Sequence, residues 1–218
     1  MSKFFSYSFI CIAFWTISTA RIYGQAVTQG EIDYEVTMVY SKKSFQAGET
    51  NTRRFRVSFN SQYYRTEQIG DGPTNIVVKD LVTNTKRNFT DMFGYRFEIT
   101  DLLDKTPTVK VVHRDETKTI QGYLCHRVLV QRPEGNFEAW ATTDIALKYP
   151  DYSNICLLEY SVPTKNGMRV YKAVKVTAKT MVSSTFMPIG YEQITQAQLD
   201  VKLHEKSPNQ QTADSGSK

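Results

Sequence analysis

From Glu31 onward the chain alternates apolar and polar positions with a period of two. Ile32, Tyr34, Val36, Met38 and Tyr40 are separated by Asp33, Glu35 and Thr37, the pattern of a strand with one buried and one wetted face. Phe55, Val57 and Phe59 alternate with Arg54, Arg56 and Ser58 in the same way. Residues 76–82 and 109–113 repeat the pattern, the former more weakly. Residues 123–131 set Leu124, Val128 and Val130 on one face and Cys125 and Leu129 on the other. Met168, Val170, Val174, Val176 and Ala178, spaced by Arg169, Lys175 and Thr177, predict the clearest late strand.

Turn signals fall between these runs at hairpin spacing: Ala47-Gly48-Glu49, Gly70-Asp71-Gly72-Pro73, Pro133-Glu134-Gly135-Asn136 and Lys165-Asn166-Gly167. Asn166-Gly167 is the strongest, because both residues tolerate the positive φ of a tight hairpin. Short strands at this spacing predict a mainly β protein, an antiparallel meander folded as a sandwich, a half-barrel or a barrel. Helix is expected to be scarce. Residues 143–152 predict one short turn or helix ending before Pro150, and residues 194–203 a helix or a last strand. With no internal repeat and no linker, a single β domain over residues 25–205 is expected. The polar stretch 206–218 is expected to be disordered.

The first 24 residues differ from the rest. Lys3 precedes an uncharged, mostly apolar run over residues 4–19, and Ser18-Thr19-Ala20 and the Gly24–Gln25 junction offer cleavage sites. The run is short for a membrane span, so a cleaved export signal is predicted, and with it a periplasmic, outer-membrane-associated or secreted location. Cys11 lies inside the apolar run without the small residues that lipoprotein processing needs. Composition fits an ordinary globular domain, with 40% hydrophobic, 22% charged and 12% aromatic residues. Loss of Lys3 and Arg21 with the signal lowers the formal charge from +5 to +3. That excess is too small for a nucleic-acid surface, and Arg54 and Arg56 fall on the polar side of their strand.

Two cysteines remain in the mature chain. An even count in an oxidising compartment leads us to expect a Cys125–Cys156 disulfide, the alternative being two buried thiols. No Cys-x-x-Cys is present, so thiol-exchange chemistry is not expected.

Catalytic patterns are missing. The histidines are His113, His126 and His204, and there is no Gly-x-Ser-x-Gly elbow. His113 opens an HRDET stretch without the asparagine, lysine and glycine-rich loop that kinase chemistry requires. Cys125 and His126 are adjacent strand positions pointing to opposite faces, and zinc would need two further ligands. Glu138 and Asp144 flank Trp140, but six residues of strand separate them by roughly 20 Å, too far for a glycosidase pair. No metal site and no cofactor are expected. Asn88-Phe89-Thr90 matches a glycosylation sequon, a pattern common by chance.

Three segments together carry a family resemblance: GEIDYEVTM near the mature start, KTIQGYLCHRVLVQ followed by NFEAWATTDI in the middle, and VYKAVKVTAKTMVSSTFMPIGYEQIT near the end. The Gly-Tyr-x-Cys strand, the Trp-bearing strand after it and the closing Met-Pro-x-Gly-Tyr resemble a secreted, Bacteroidota-type domain family of unknown function. That family is related to the LolA/LolB lipoprotein carriers. The resemblance implies an antiparallel sheet curved into an incomplete barrel, with an apolar concave face under a small lid. It brings no catalytic residue. This chain lacks the long lid helices and lipoprotein box of true carriers.

The apolar strand positions Tyr34, Val36, Phe59, Trp140, Leu158, Val174 and Val176 exceed what one exposed sheet can hide, so they are candidates to line a core or a groove. The expected function is a non-catalytic envelope protein that binds an apolar or amphipathic ligand, such as a lipid, or a protein partner on a curved β surface. One alternative is a structural or interaction protein with a filled core, and another is a hydrolase with a site that motifs do not reveal.

Overall fold

The computed structural model describes residues 26–41, 48–70, 74–92, 94–102, 109–147 and 154–205. The predicted export signal at 1–24, the predicted tail at 206–218 and most of the predicted turn at 71–73 lie outside the described residues. The alternating runs are strands. Six form a first meander: β1 (Gly30–Tyr40), β2 (Thr50–Phe59), β3 (Tyr63–Ile69), β4 (Asn75–Asp80), β5 (Thr85–Met92) and β6 (Tyr95–Leu102). Five form a second: β7 (Lys110–Ile120), β8 (Tyr123–Gln131), β9 (Phe137–Thr142), β10 (Cys156–Thr164) and β11 (Gly167–Ala178). The two meanders join where β1 pairs with β11, giving one sheet that ends at β7 on one side. At the other edge a two-residue strand, β12 (Glu192–Gln193), pairs in parallel with β6. The sheet is curved and does not close into a barrel, which matches the mainly β, incomplete-barrel expectation. Among the described residues no helix is long and apolar enough to cross a membrane.

Registry defines two faces. Tyr34 lies opposite Phe55 on β2 and Ala173 on β11, while Val36 lies opposite Tyr171, and Tyr171 opposite Tyr160 on β10. We call this apolar side the inner face. Asp33 and Arg56 lie opposite each other on the outer face, where Arg56 reaches Asp33 with two hydrogen bonds of 2.7 and 3.1 Å. Arg54 pairs with Glu35 at 3.4 Å and Lys179 with Glu31 at 2.9 Å. The cross-strand charge pairs make this face the wetted one that alternation predicts.

The β1–β11 seam is tight at both ends. A Cβ on Gly30 would stand 2.3 Å from the Thr177 carbonyl oxygen, and one on Gly167 would stand 2.0 Å from that of Val39. The hairpin between β10 and β11 therefore uses its glycine differently from the expectation. Thr164 pairs with Gly167, so Lys165 and Asn166 are the turn, and Gly167, with φ 152°, is the first paired residue, pressed against β1. A bulge between Asp33 and Tyr34 leaves Val174 as the extra residue on β11. Before the bulge β11 directs Tyr171 and Ala173 inward; beyond it Val176 faces Ile32. A single alternating face over 168–178 is thus replaced by two half-faces.

Strand β8 changes its buried side as well. Tyr123 and Cys125 are buried in its first half, Val128 and Val130 in its second, and Leu124 is 49% exposed rather than sharing their face. The facing strand β7 carries a bulge between His113 and Thr117, which adds local twist. Residues 143–147 contain no helix: Ile145 makes a parallel bridge to Val27. The rest of that predicted element, 148–153, lies outside the described residues.

After β11 the chain crosses the outer face. Met181 and Phe186 pack on Ile76, Val78 and Phe89 through a 3-10 turn at Ser183–Thr185. It then rounds the β6 edge as β12 and enters the helix α1 (Gln196–Glu205). Ile194 and Leu199 pack on Phe97 and Ile99. Because Phe89 lies opposite Glu98, these two residues stand on the other face from Phe89. The stretch 194–203, read as helix or strand, is mostly helix.

Candidate functional site

The inner face is not fully packed. Between β1, β2 and β3 on one side and β10 and β11 on the other lies a cavity of about 510 Å³, floored by aromatic rings. Its deep end is formed by the buried Tyr34, Val36, Val57, Leu147 and Leu157. Phe55, Tyr64, Tyr160 and Tyr171 are half-buried along its length. Tyr160 and Tyr171 stack with centroids 4.4 Å apart and planes 6° from parallel, and Tyr34 meets Tyr160 edge-on at 6.4 Å. The Tyr34 hydroxyl donates to the Leu157 carbonyl at 2.8 Å. Burial raises its pKa well above the ordinary range, so it stays a neutral donor. This bond ties β1 to β10 and hides the polar end of the ring, leaving its apolar body to the cavity.

The mouth is polar. Asn51, Arg53 and Arg169 line it and are exposed. Arg53 stands opposite Val36 on β2 and Arg169 opposite Met38 on β11, so the two arginines flank β1. Arg53 donates to the Gln68 side-chain oxygen at 3.4 Å and Arg169 to the Tyr171 hydroxyl at 3.4 Å. No carboxylate among the described residues lines the cavity.

Of the groove candidates, Tyr34 and Val36 line this cavity. Phe59 and Leu158 are fully buried in the adjoining core cluster, and Val176 packs against it. Val174 is the half-buried bulge residue. Trp140 is half-buried and also packs against that cluster rather than lining the cavity; it stands opposite Arg127 and Glu159, with the Lys118 ammonium 4.4 Å from its ring centroid. Sequence reasoning did not single out Tyr160, Tyr171, Arg53 and Arg169 as cavity residues. Tyr171 was hidden by the β11 bulge, and Tyr160 lies on β10, where the sequence offered no alternating run.

Cys125 and Cys156 are free, which corrects the expected disulfide. Cys156 pairs with Thr142 on β9, and Cys125 lies on β8, beyond β9. A whole strand separates the two backbones by roughly 9–10 Å, more than the ~7 Å that a disulfide tolerates between Cα atoms. Burial pushes the Cys125 thiol up to about 11 and the Cys156 thiol up to about 12, so neither offers a thiolate at neutral pH.

His113 and His126 are exposed on β7 and β8, and no hydrogen bond or ion pair joins either side chain to a carboxylate or nucleophile among the described residues. Arg127 is held by Glu116 at 2.5 Å and by Glu138, so Glu138 takes part in an outer-face ion-pair cluster. No group of three or more His, Cys, Asp or Glu among the described residues is placed to hold a metal ion.

No model of a known protein family matches this chain, and no curated protein matches it. Among solved structures it is similar to PNGF-II in two crystal forms. In the C2 form the TM-score is 0.52 at 19% identity over 80% of this chain; in the P21 form it is 0.53 at 15% identity over 82%. The chain spans only about a third of PNGF-II, 32% and 34% of its length in the two forms. An uncharacterized conserved protein from Thermus thermophilus aligns over 78% of this chain and 91% of its own, with a TM-score of 0.49 and 10% identity. The PNGF-II likeness is one of fold.

Proposed function

We propose that this chain is a non-catalytic, exported envelope protein that binds an apolar or amphipathic ligand on the inner face of its curved sheet. The observation that carries the reading is the cavity of about 510 Å³ lined by Tyr34, Val36, Phe55, Tyr64, Tyr160 and Tyr171. Its size is that of pockets that take one small ligand, and its walls are mostly aromatic and aliphatic, with the charged groups, Arg53 and Arg169, at one end. The space left between these side chains, where a finished core would be filled, supports the reading as a binding groove.

Native mass spectrometry of the purified full chain, followed by organic extraction, tests this directly. We expect a bound species of small mass that is lost in a Thr66→Trp variant, whose indole fills the cavity from β3 while the melting temperature stays within a few degrees. A protein that carries no adduct, and whose stability does not respond to amphiphiles, would instead favour a structural or interaction role for the sheet.

A further inference from the structure

We propose that the ligand is a single-chain amphiphile with a carboxylate head, bound head-out between Arg53 and Arg169 with its chain running toward Tyr34 and Leu157. This rests on the groove reading above and names the chemistry that the groove selects.

Charge distribution carries the inference. Most arginines described here are matched by carboxylates: Arg54 by Glu35, Arg56 by Asp33, Arg65 by Glu67, Arg87 by Glu98, Arg96 by Asp91 and Arg127 by Glu116. Arg53 and Arg169 differ in that each hydrogen-bonds a neutral side chain, Gln68 and Tyr171, at the long distance of 3.4 Å. Neither has an ion pair among the described residues. The cavity wall described here therefore carries two positive charges and no negative one. The acid nearest to Arg53 in sequence, Glu49, precedes β2 and lies outside the cavity wall.

Geometry supplies the rest. The two arginines stand on either side of β1, displaced by two residues along it, so their backbones are roughly 12 Å apart at ordinary strand spacing. Two extended guanidinium side chains close that gap onto one planar anion, each presenting a fork of N–H donors to a two-oxygen head. Asn51 adds a neutral donor at the same end. Below them the walls turn from exposed to half-buried to buried, from Arg53 through Phe55 to Val57. A head that keeps its charge at the wet mouth and a chain that leaves water along the rings match that gradient.

The test compares three probes of equal chain length, dodecanoate, dodecanol and dodecyltrimethylammonium, by calorimetry on the full chain and on the Arg53→Gln/Arg169→Gln double variant. Both arginines are exposed, so the variant is expected to fold, and its melting curve checks that. Dodecanoate should bind the native chain roughly tenfold or more tighter than dodecanol, the ammonium weakest. The double variant should lose that preference while keeping its affinity for dodecanol. Equal binding of dodecanoate and dodecanol overturns the carboxylate assignment and leaves the groove reading standing. Loss of all binding to the native chain overturns the groove reading itself. An affinity for dodecanoate unchanged in the variant places the head elsewhere and sinks the proposal.

Discussion

Cys125 and Cys156 show how strand order overrides composition at the scale of single residues. An oxidising destination and an even count favour a bridge, but pairing depends on which strands are neighbours, and β9 inserts itself between them. The thiols instead fill core space, both fully buried. Their ionised forms are disfavoured in the fold, with pKa values near 11 and 12 against an ordinary 9.0. Below pH 9 both states keep their thiol protons and the stabilisation is complete. As pH rises toward 12 the unfolded chain ionises first, and that contribution is lost. We expect the urea midpoint to fall above about pH 9, and to fall less steeply in a Cys125→Ala/Cys156→Ala double variant measured over the same range. Native protein should also resist alkylation until denatured, then take two equivalents on these cysteines. A parallel alkaline slope in the variant would assign the loss to other groups, Tyr34 first among them.

At the scale of elements, the seam between β1 and β11 decides whether two meanders become one sheet. Its eleven residue pairs run from Gly30–Ala178 to Tyr40–Gly167, and each end is held by a glycine too close to a carbonyl for any side chain. Replacing Gly167 by alanine sets a Cβ against the Val39 oxygen at a φ that side chains disfavour, and should cost about 1–3 kcal/mol. A chemical-denaturation series on Gly167→Ala and Gly48→Ala separates the effects, since Gly48 also has positive φ but has nothing within 4 Å of its would-be Cβ. Equal losses in the two variants would remove the seam contact as the cause. The strands β1, β2, β4, β7, β8 and β11 were legible, wholly or in part, in the alternation of residues such as Ile32, Tyr34 and Val36, whereas β3, β5 and β6 were not foreseen. The seam was not, because a contact between Gly30 and Ala178 leaves no local trace. The bulge at Val174 shifts the period of β11 by one residue, and this hid Tyr171 as a groove residue, while Tyr160 lies on β10, where the sequence offered no alternating run, and Tyr34 and Val36 lie on the regular β1.

At the scale of the molecule, an open sheet has two edges and two faces to protect, and the chain treats them differently. The β7 edge is short of apolar residues: His113, Arg114, Asp115 and Glu116 are all exposed around its bulge, a composition that discourages further strand pairing. The β6 edge is instead capped in part by β12, which pairs with Phe97 and Glu98. The outer face of β4 and β5 breaks the polar pattern that holds on β1 and β2, since Ile76, Val78 and Phe89 all point there. Segment 181–191 exists on this face to bury them, and Phe186, fully enclosed, is its anchor, tilted at 5.2 Å against Tyr63. Arg65 fastens the same segment by donating to the Thr185 carbonyl at 2.8 Å. Phe186→Ala should therefore cost about 3–5 kcal/mol. It should also expose an apolar patch at the far side of the sheet from the groove. The measurable signature is dye binding and self-association of the variant with amphiphile affinity retained. If affinity falls in step with stability, the strap and the groove belong to one cooperative unit, and the division of labour between the two faces is wrong.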